Sequence, residues 1–166
     1  ALLELELKQY ERAAQYFRQL LDTDSHANEA NYYLGDIAQQ QRQYDQAIGW
    51  YNKVDEGEYY LEAQISIADM LAELGQLEEA RAHLIRLRGI QSHESIKARL
   101  FLAEGQLLED QKKYQESMDV FDKALVSYPE NIELLYGRAM VGEKIDRLDI
   151  LERDLNAILE IDPDNA

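Results

Sequence analysis

Apolar side chains in residues 30–54, ANYYLGDIAQQQRQYDQAIGWYNKV, fall on two stripes separated by a polar run. Leu34, Ile37 and Ala38 form the first; Tyr44, Ala47, Ile48, Tyr51 and Val54 form the second. Both follow the i, i+3, i+4, i+7 spacing of an amphipathic helix. The intervening residues 39–43 are polar, so the stretch predicts two antiparallel helices joined as a hairpin. Gly35 and Ala47 are the small residues expected where those helices approach, with Tyr51 filling the space beside them. Enlarging either small residue overpacks the joint, at roughly 1–3 kcal/mol.

The arrangement recurs. Ala13 and Ala47 lie 34 residues apart, Ala47 and Ala80 33, Ala80 and Ser117 37, Ser117 and Leu151 34. A bulky residue follows each four positions later: Phe17, Tyr51, Leu84, Phe121 and Leu155. One array over residues 1–166 is therefore expected, with units at about 1–25 (truncated), 28–57, 58–90, 95–130 and 131–166. Residues 1–7 read as the tail of a first helix and 22–25 as a turn. Gly57 is expected to stop the second hairpin and Gly75 to mark the turn of the third. Residues 89–95 are expected to loop out and absorb the 37-residue spacing, with Ser92 or Ser95 capping the next helix.

The fifth unit departs most from the pattern. Ala139 takes the glycine position, but Leu151 takes the small-alanine position. Either that hairpin opens or its helices shift in register. Glu104 and Arg138 occupy equivalent first-helix positions in neighbouring units, which predicts an inter-repeat ion pair between them.

With Leu34, Gly35 and Ala47 in place and Tyr51 standing for a Phe, this unit resembles the tetratricopeptide repeat. Asn31 replaces that family's Trp and Ala38 its first Tyr, while Pro129 and Pro163 fall where its Pro falls. The resemblance implies an all-α, right-handed superhelical solenoid of tandem helix-turn-helix units. It also implies a concave groove lined by the first helices. Carried over by position, the groove residues are Tyr32, Tyr33, Asp36 and Gln40; Glu62, Ser66 and Asp69; Arg99, Leu102 and Gln106; and Tyr136 and Met140. Tyr32, Tyr33 and Tyr136 have a second role open to them, packing between adjacent units. One subclass of the family clamps a carboxylate terminus with Lys and Asn on successive first helices. The matching positions here are Tyr32, Asp36, Ser66, Arg99 and Ala103, of which only Arg99 is basic, so no such clamp is expected.

Composition narrows the partner. The net charge is −16, which disfavours phosphate backbones and anionic lipid surfaces. A protein or peptide of basic or apolar character is the expected ligand, with no nucleic acid and no membrane insertion by this segment. No apolar run approaches the roughly 18 residues needed to span a bilayer. Cysteine is absent, which excludes disulfides and thiolate metal sites.

Candidate chemistry is sparse. His26, His83 and His93 are scattered, with no HExxH spacing. Asp22 and Asp24 open a run like a calcium loop, but Ala27 and Tyr33 stand where its Gly and Glu belong. Ser92, His93 and Ser95 share one short stretch with nothing to make them converge. No enzyme activity, metal or cofactor is expected. The apolar residues at both ends of the chain suggest a fragment of a longer array, open to end-to-end homo-association. Residues 134–166 are also similar to a stretch of long tetratricopeptide lipoproteins of the bacterial envelope, which implies an adaptor for envelope enzymes. The alternative is a purely structural or oligomerisation module.

Overall fold

The computed structural model of the chain describes residues 9–21, 26–55 and 57–163. Among them are nine helices and no strand. They are α1 (Tyr10–Leu20), α2 (Ala27–Gln40), α3 (Tyr44–Tyr51), α4 (Tyr60–Glu73), α5 (Leu77–Ile90), α6 (Glu94–Asp110), α7 (Tyr114–Ser127), α8 (Ile132–Lys144) and α9 (Leu148–Ile161). The chain divides into two compact units, Ala1–Ala80 and Arg81–Ala166, with the division falling inside α5. The readings for residues 1–7 and 22–25 lie outside the described residues.

Four tight turns of one design separate first from second helices. Arg42, Gly75, Lys112 and Asp146 adopt left-handed backbone, with φ of 59°, 79°, 58° and 60°. At the first of them, Arg42 N–H bonds the Gln39 carbonyl and Gln43 N–H bonds the Ala38 carbonyl, both at 2.8 Å. The same pair of bonds recurs at the other three. This is the Schellman closure, which satisfies carbonyls that a helix end leaves open. Only Gly75 signals it in the sequence, because the motif tolerates other residues where the geometry is otherwise fixed.

In the first unit, α4 packs on α2 and α3. Tyr51 is buried beside Gly35, where a Cβ would come within 2.6 Å of its ring. Asn31, in the position of the missing Trp, is buried and donates from Nδ2 to the Lys53 carbonyl. In the second unit, α8 packs on α6 and α7. Phe121 lies between two glycines: a Cβ on Gly105 would meet its ring at 2.4 Å, and one on Gly137 at 2.6 Å. Ser117, in an alanine position, donates its hydroxyl to the Gly105 carbonyl at 2.7 Å. Its polarity is thereby satisfied in a fully buried place.

Several expectations need correction. Gly57 does not stop the second hairpin, since α3 already ends at Tyr51. Val54, though buried, lies past the helix in a turn where its N–H bonds the Tyr51 carbonyl. Residues 89–95 do not form a long loop. Helix α5 runs to Ile90 and α6 starts at Glu94, so the extra residues of the 37-residue spacing lengthen α6 to 17 residues, against 14 in α2 and α4. His93, not Ser92 or Ser95, precedes α6.

The fifth hairpin keeps its register. Leu151 N–H bonds the Arg147 carbonyl as Ser117 N–H bonds that of Lys113. The deeply buried stripe of α9 is nevertheless Ile150, Asp154 and Ile158, with Leu151 and Leu155 half-buried. Asp154 can be buried because Arg138 grips it by Nε at 2.7 Å and Nη2 at 2.9 Å.

Glu104 and Arg138 do not pair with each other. Glu104 accepts from Arg88 at 2.9 Å, and Arg81 Nε lies 3.6 Å away. Besides gripping Asp154, Arg138 reaches Asp122 at 2.8 Å. Each misfit charge thus pairs with the second helix of the hairpin before it, Glu104 with Arg88 and Arg138 with Asp122, each pair 16 residues apart and of opposite polarity. Facing helices, not equivalent positions on like helices, bring these groups into reach.

Three substitutions test this packing. Gly105→Ala is expected to destabilise the chain by about 1–3 kcal/mol in urea unfolding, because Phe121 is pinned from both sides. Gly49→Ala, with open space around it, is expected to stabilise by about 0.5–1 kcal/mol. Arg138→Leu removes the bidentate partner of buried Asp154 and leaves only the exposed Arg153. A loss of about 3 kcal/mol is expected. Adding Asp154→Val, the residue type of Val120 at the equivalent place, is expected to restore at least half of it.

Candidate functional site

Side chains of the first helices α2 and α4 supply a polar and aromatic patch in the first unit. Phe17, Tyr33, Tyr59, Tyr32 and Tyr51 form a chain of ring contacts with centroids 4.9–5.9 Å apart. Tyr33 stacks on Phe17 at an interplanar angle of 18°. Its ring therefore packs between adjacent hairpins, while Tyr32 bridges Tyr51 and Tyr59.

Tyr51 carries the least expected feature. Its ring fills the position of a signature Phe, and its hydroxyl donates to Gln39 Oε1 at 2.7 Å. Burial pushes this phenol well above its ordinary value, against a hydrogen bond with Ser66 that lowers it; Asp36, Tyr32 and Asp69 nearby add to the rise. Asp36 is itself raised by burial, partly offset by a hydrogen bond from Gln40. Ser66 thus bonds this hydroxyl, Asp36 and Asp69 lie near enough to act on it by charge, and Gln40 bonds Asp36. Glu62 lies on the same helix as Ser66 and Asp69, half-buried. Two carboxylates beside a buried phenol favour a cationic group set among them.

The second unit offers a different surface. A cleft of about 580 Å³ is lined by Leu102 and Gln106 of α6, by Ile132, Glu133, Tyr136 and Gly137 of α8, and by Leu155, Ile158 and Leu159 of α9. Tyr136 is 55 % exposed at its mouth, so its ring is free of the packing role that Tyr33 has. Met140 is half-buried and Arg99 exposed on the same helices as the other expected residues, though neither lines this cleft. Leu155 and Ile158 of α9, which the sequence marks as apolar residues near the end of the chain rather than as groove residues, also line this cleft.

Among the described residues, no cluster of three or more His, Cys, Asp or Glu could hold a metal ion. None of the described helices is long and apolar enough to cross a membrane.

A family model described as tetratricopeptide repeat matches residues 1–60 and 65–132. A TPR repeat-containing protein of Pseudomonas aeruginosa is 32% identical over 137 residues, which is 82% of this chain. The chain spans 23% of the length of that curated relative. Among solved structures, Pseudomonas aeruginosa pilF superposes with a TM-score of 0.65 at 18% identity, covering 96% of this chain and 72% of that one. YrrB, described as a TPR protein with an unusual peptide-binding site, superposes at 0.55 and 18% identity, covering 98% of this chain and 83% of its own. These two likenesses concern the fold.

Proposed function

Because the chain belongs to the tetratricopeptide repeat family, whose helical hairpins serve as protein-interaction scaffolds, we propose that it captures a protein or peptide on its first helices. The observation that carries the reading is the cleft with Leu102, Gln106 and Tyr136 in its wall. It is concave and mostly apolar, with a few polar groups, the usual make-up of a binding site. Tyr136 presents an apolar body with a polar tip, a side chain favoured at interfaces.

The two units favour different ligand chemistry. The patch at Asp36, Ser66 and Asp69 suits Lys or Arg, since a cation would offset the cost of the buried carboxylate. The cleft at Tyr136 suits apolar side chains. The partner is thus a peptide of basic or apolar character, and this module acts as an adaptor rather than a catalyst. Assembly of bacterial envelope enzymes is the setting suggested by the likeness of residues 134–166 to envelope lipoproteins.

A displayed random-peptide library panned on the chain tests this. Recovered peptides are expected to be enriched in Lys, Arg and aliphatic residues. Calorimetry with the best of them is expected to show at least tenfold weaker binding to Tyr136→Ala and to Asp36→Asn/Asp69→Asn. Enrichment of acidic peptides, or equal affinity for all three chains, would remove the assignment.

A further inference from the structure

Another cleft, of about 340 Å³, lies in the first unit and contains none of the expected groove residues. Leu34, Ile37 and Ala38 of α2, all buried, form its floor, and its walls come from α1 and α3. Four exposed glutamines stand around it: Gln15 on α1, Gln41 and Gln43 in the turn between α2 and α3, and Gln46 on α3. Among the described residues, none bonds these four side chains. Glu11 and Arg18 are the charged groups of the lining and cancel, in a chain whose net charge is −16.

The equivalent crevice of the second unit is built on charge instead. Arg81 stands there in the place of Ala14, Glu104 in that of Leu34 and Glu116 in that of Gln46. Arg81 Nη1 bonds Glu116 at 2.8 Å and Arg88 bonds Glu104 at 2.9 Å, so these polar groups satisfy one another. In the first unit a methyl group and an isobutyl group replace Arg81 and Glu104. The amides around them have no such partners and answer to whatever enters the cleft.

We infer that this cleft binds a neutral sugar unit of an oligosaccharide. A primary amide both donates and accepts, and so does a hydroxyl, so neighbouring glutamines can bond neighbouring hydroxyls in either direction. The C–H face of the sugar ring meets the apolar floor, and the hydroxyls at its edge meet the amides. An apolar concavity with a few convergent polar groups is the usual form of a small-ligand site. A charged ligand finds one partner and one opponent in Arg18 and Glu11. An extended peptide presents its polar groups along a line, whereas these amides surround a floor. Trp50 also lines the cleft. The Lys53 ammonium lies 4.0 Å from its ring centroid, so one ring face is taken and the indole serves as wall rather than stacking platform. As the only tryptophan in the chain, it reports on occupancy. This site is independent of peptide capture on the first helices.

The test titrates isotope-labelled chain with two neutral oligosaccharides, chitotetraose and cellotetraose. A saturable change in Trp50 emission is expected with at least one of them. Shifts are expected in the side-chain amide resonances of Gln15, Gln41, Gln43 and Gln46, while resonances around the Arg81–Glu116 pair stay in place. Gln41→Ala/Gln46→Ala is expected to weaken binding at least tenfold and to leave the thermal midpoint within a few degrees, since both side chains are exposed. Tetragalacturonate, an acidic oligosaccharide, is expected to bind at least tenfold more weakly than the neutral ones. No saturation at tens of millimolar of either neutral sugar, shifts centred on another face, or undiminished binding by the double variant would overturn the proposal. So would a neutral Gly-Ser peptide that gives the same shifts with higher affinity, which would make the cleft a peptide site.

Discussion

In each unit the structure depends on one ring wedged against small residues from two helices. Phe121 lies between Gly105 of its own hairpin and Gly137 of the next; Tyr51 lies between Gly35 and Ser66 in the same way. Full burial of such a ring is worth roughly 1.5–3 kcal/mol. Because the ring is shared, that energy belongs to the junction and not to either hairpin alone. A lone helix pair of this size would bury too little to hold its form, so order passes from neighbour to neighbour.

Charge takes over part of this work in the second unit. Where the pattern calls for an apolar residue, Glu104 and Arg138 appear, and opposite charges answer them from facing helices. Buried pairs of this kind add little net stability, because desolvation offsets attraction. Their value is selectivity: a hairpin lacking the matching charge would leave Glu104 or Asp154 buried without a counter-ion. The same unit carries the open, mostly apolar cleft.

Hairpins, their spacing and the small-residue contacts were legible in the sequence because each is a local pattern that repeats. Leu34, Gly35, Ala47 and Tyr51 suffice to place one unit, and periodicity places the others. Turn geometry was not legible: Arg42, Lys112 and Asp146 take left-handed backbone without a glycine to signal it. Nor was the fate of the extra residues near Gly89, since a lengthened helix and a longer loop have the same spacing. For the site, the family resemblance assigned Tyr136, Leu102 and Gln106 to the groove, and the three line one cleft. The Tyr51 hydroxyl was missed, because a Tyr in a Phe position gives no sign of where its hydroxyl points. Pairing of Glu104 and Arg138 failed for a related reason: repeat equivalence says which positions are alike, not which ones face each other.

Hydrogen exchange on a Phe121→Ala variant tests the shared-wedge account most directly. If the ring joins two hairpins, amides of α6 and of α8 lose protection together, by comparable factors. Loss confined to α6 and α7, with α8 and α9 protected as before, would contradict it and make each hairpin a self-contained unit.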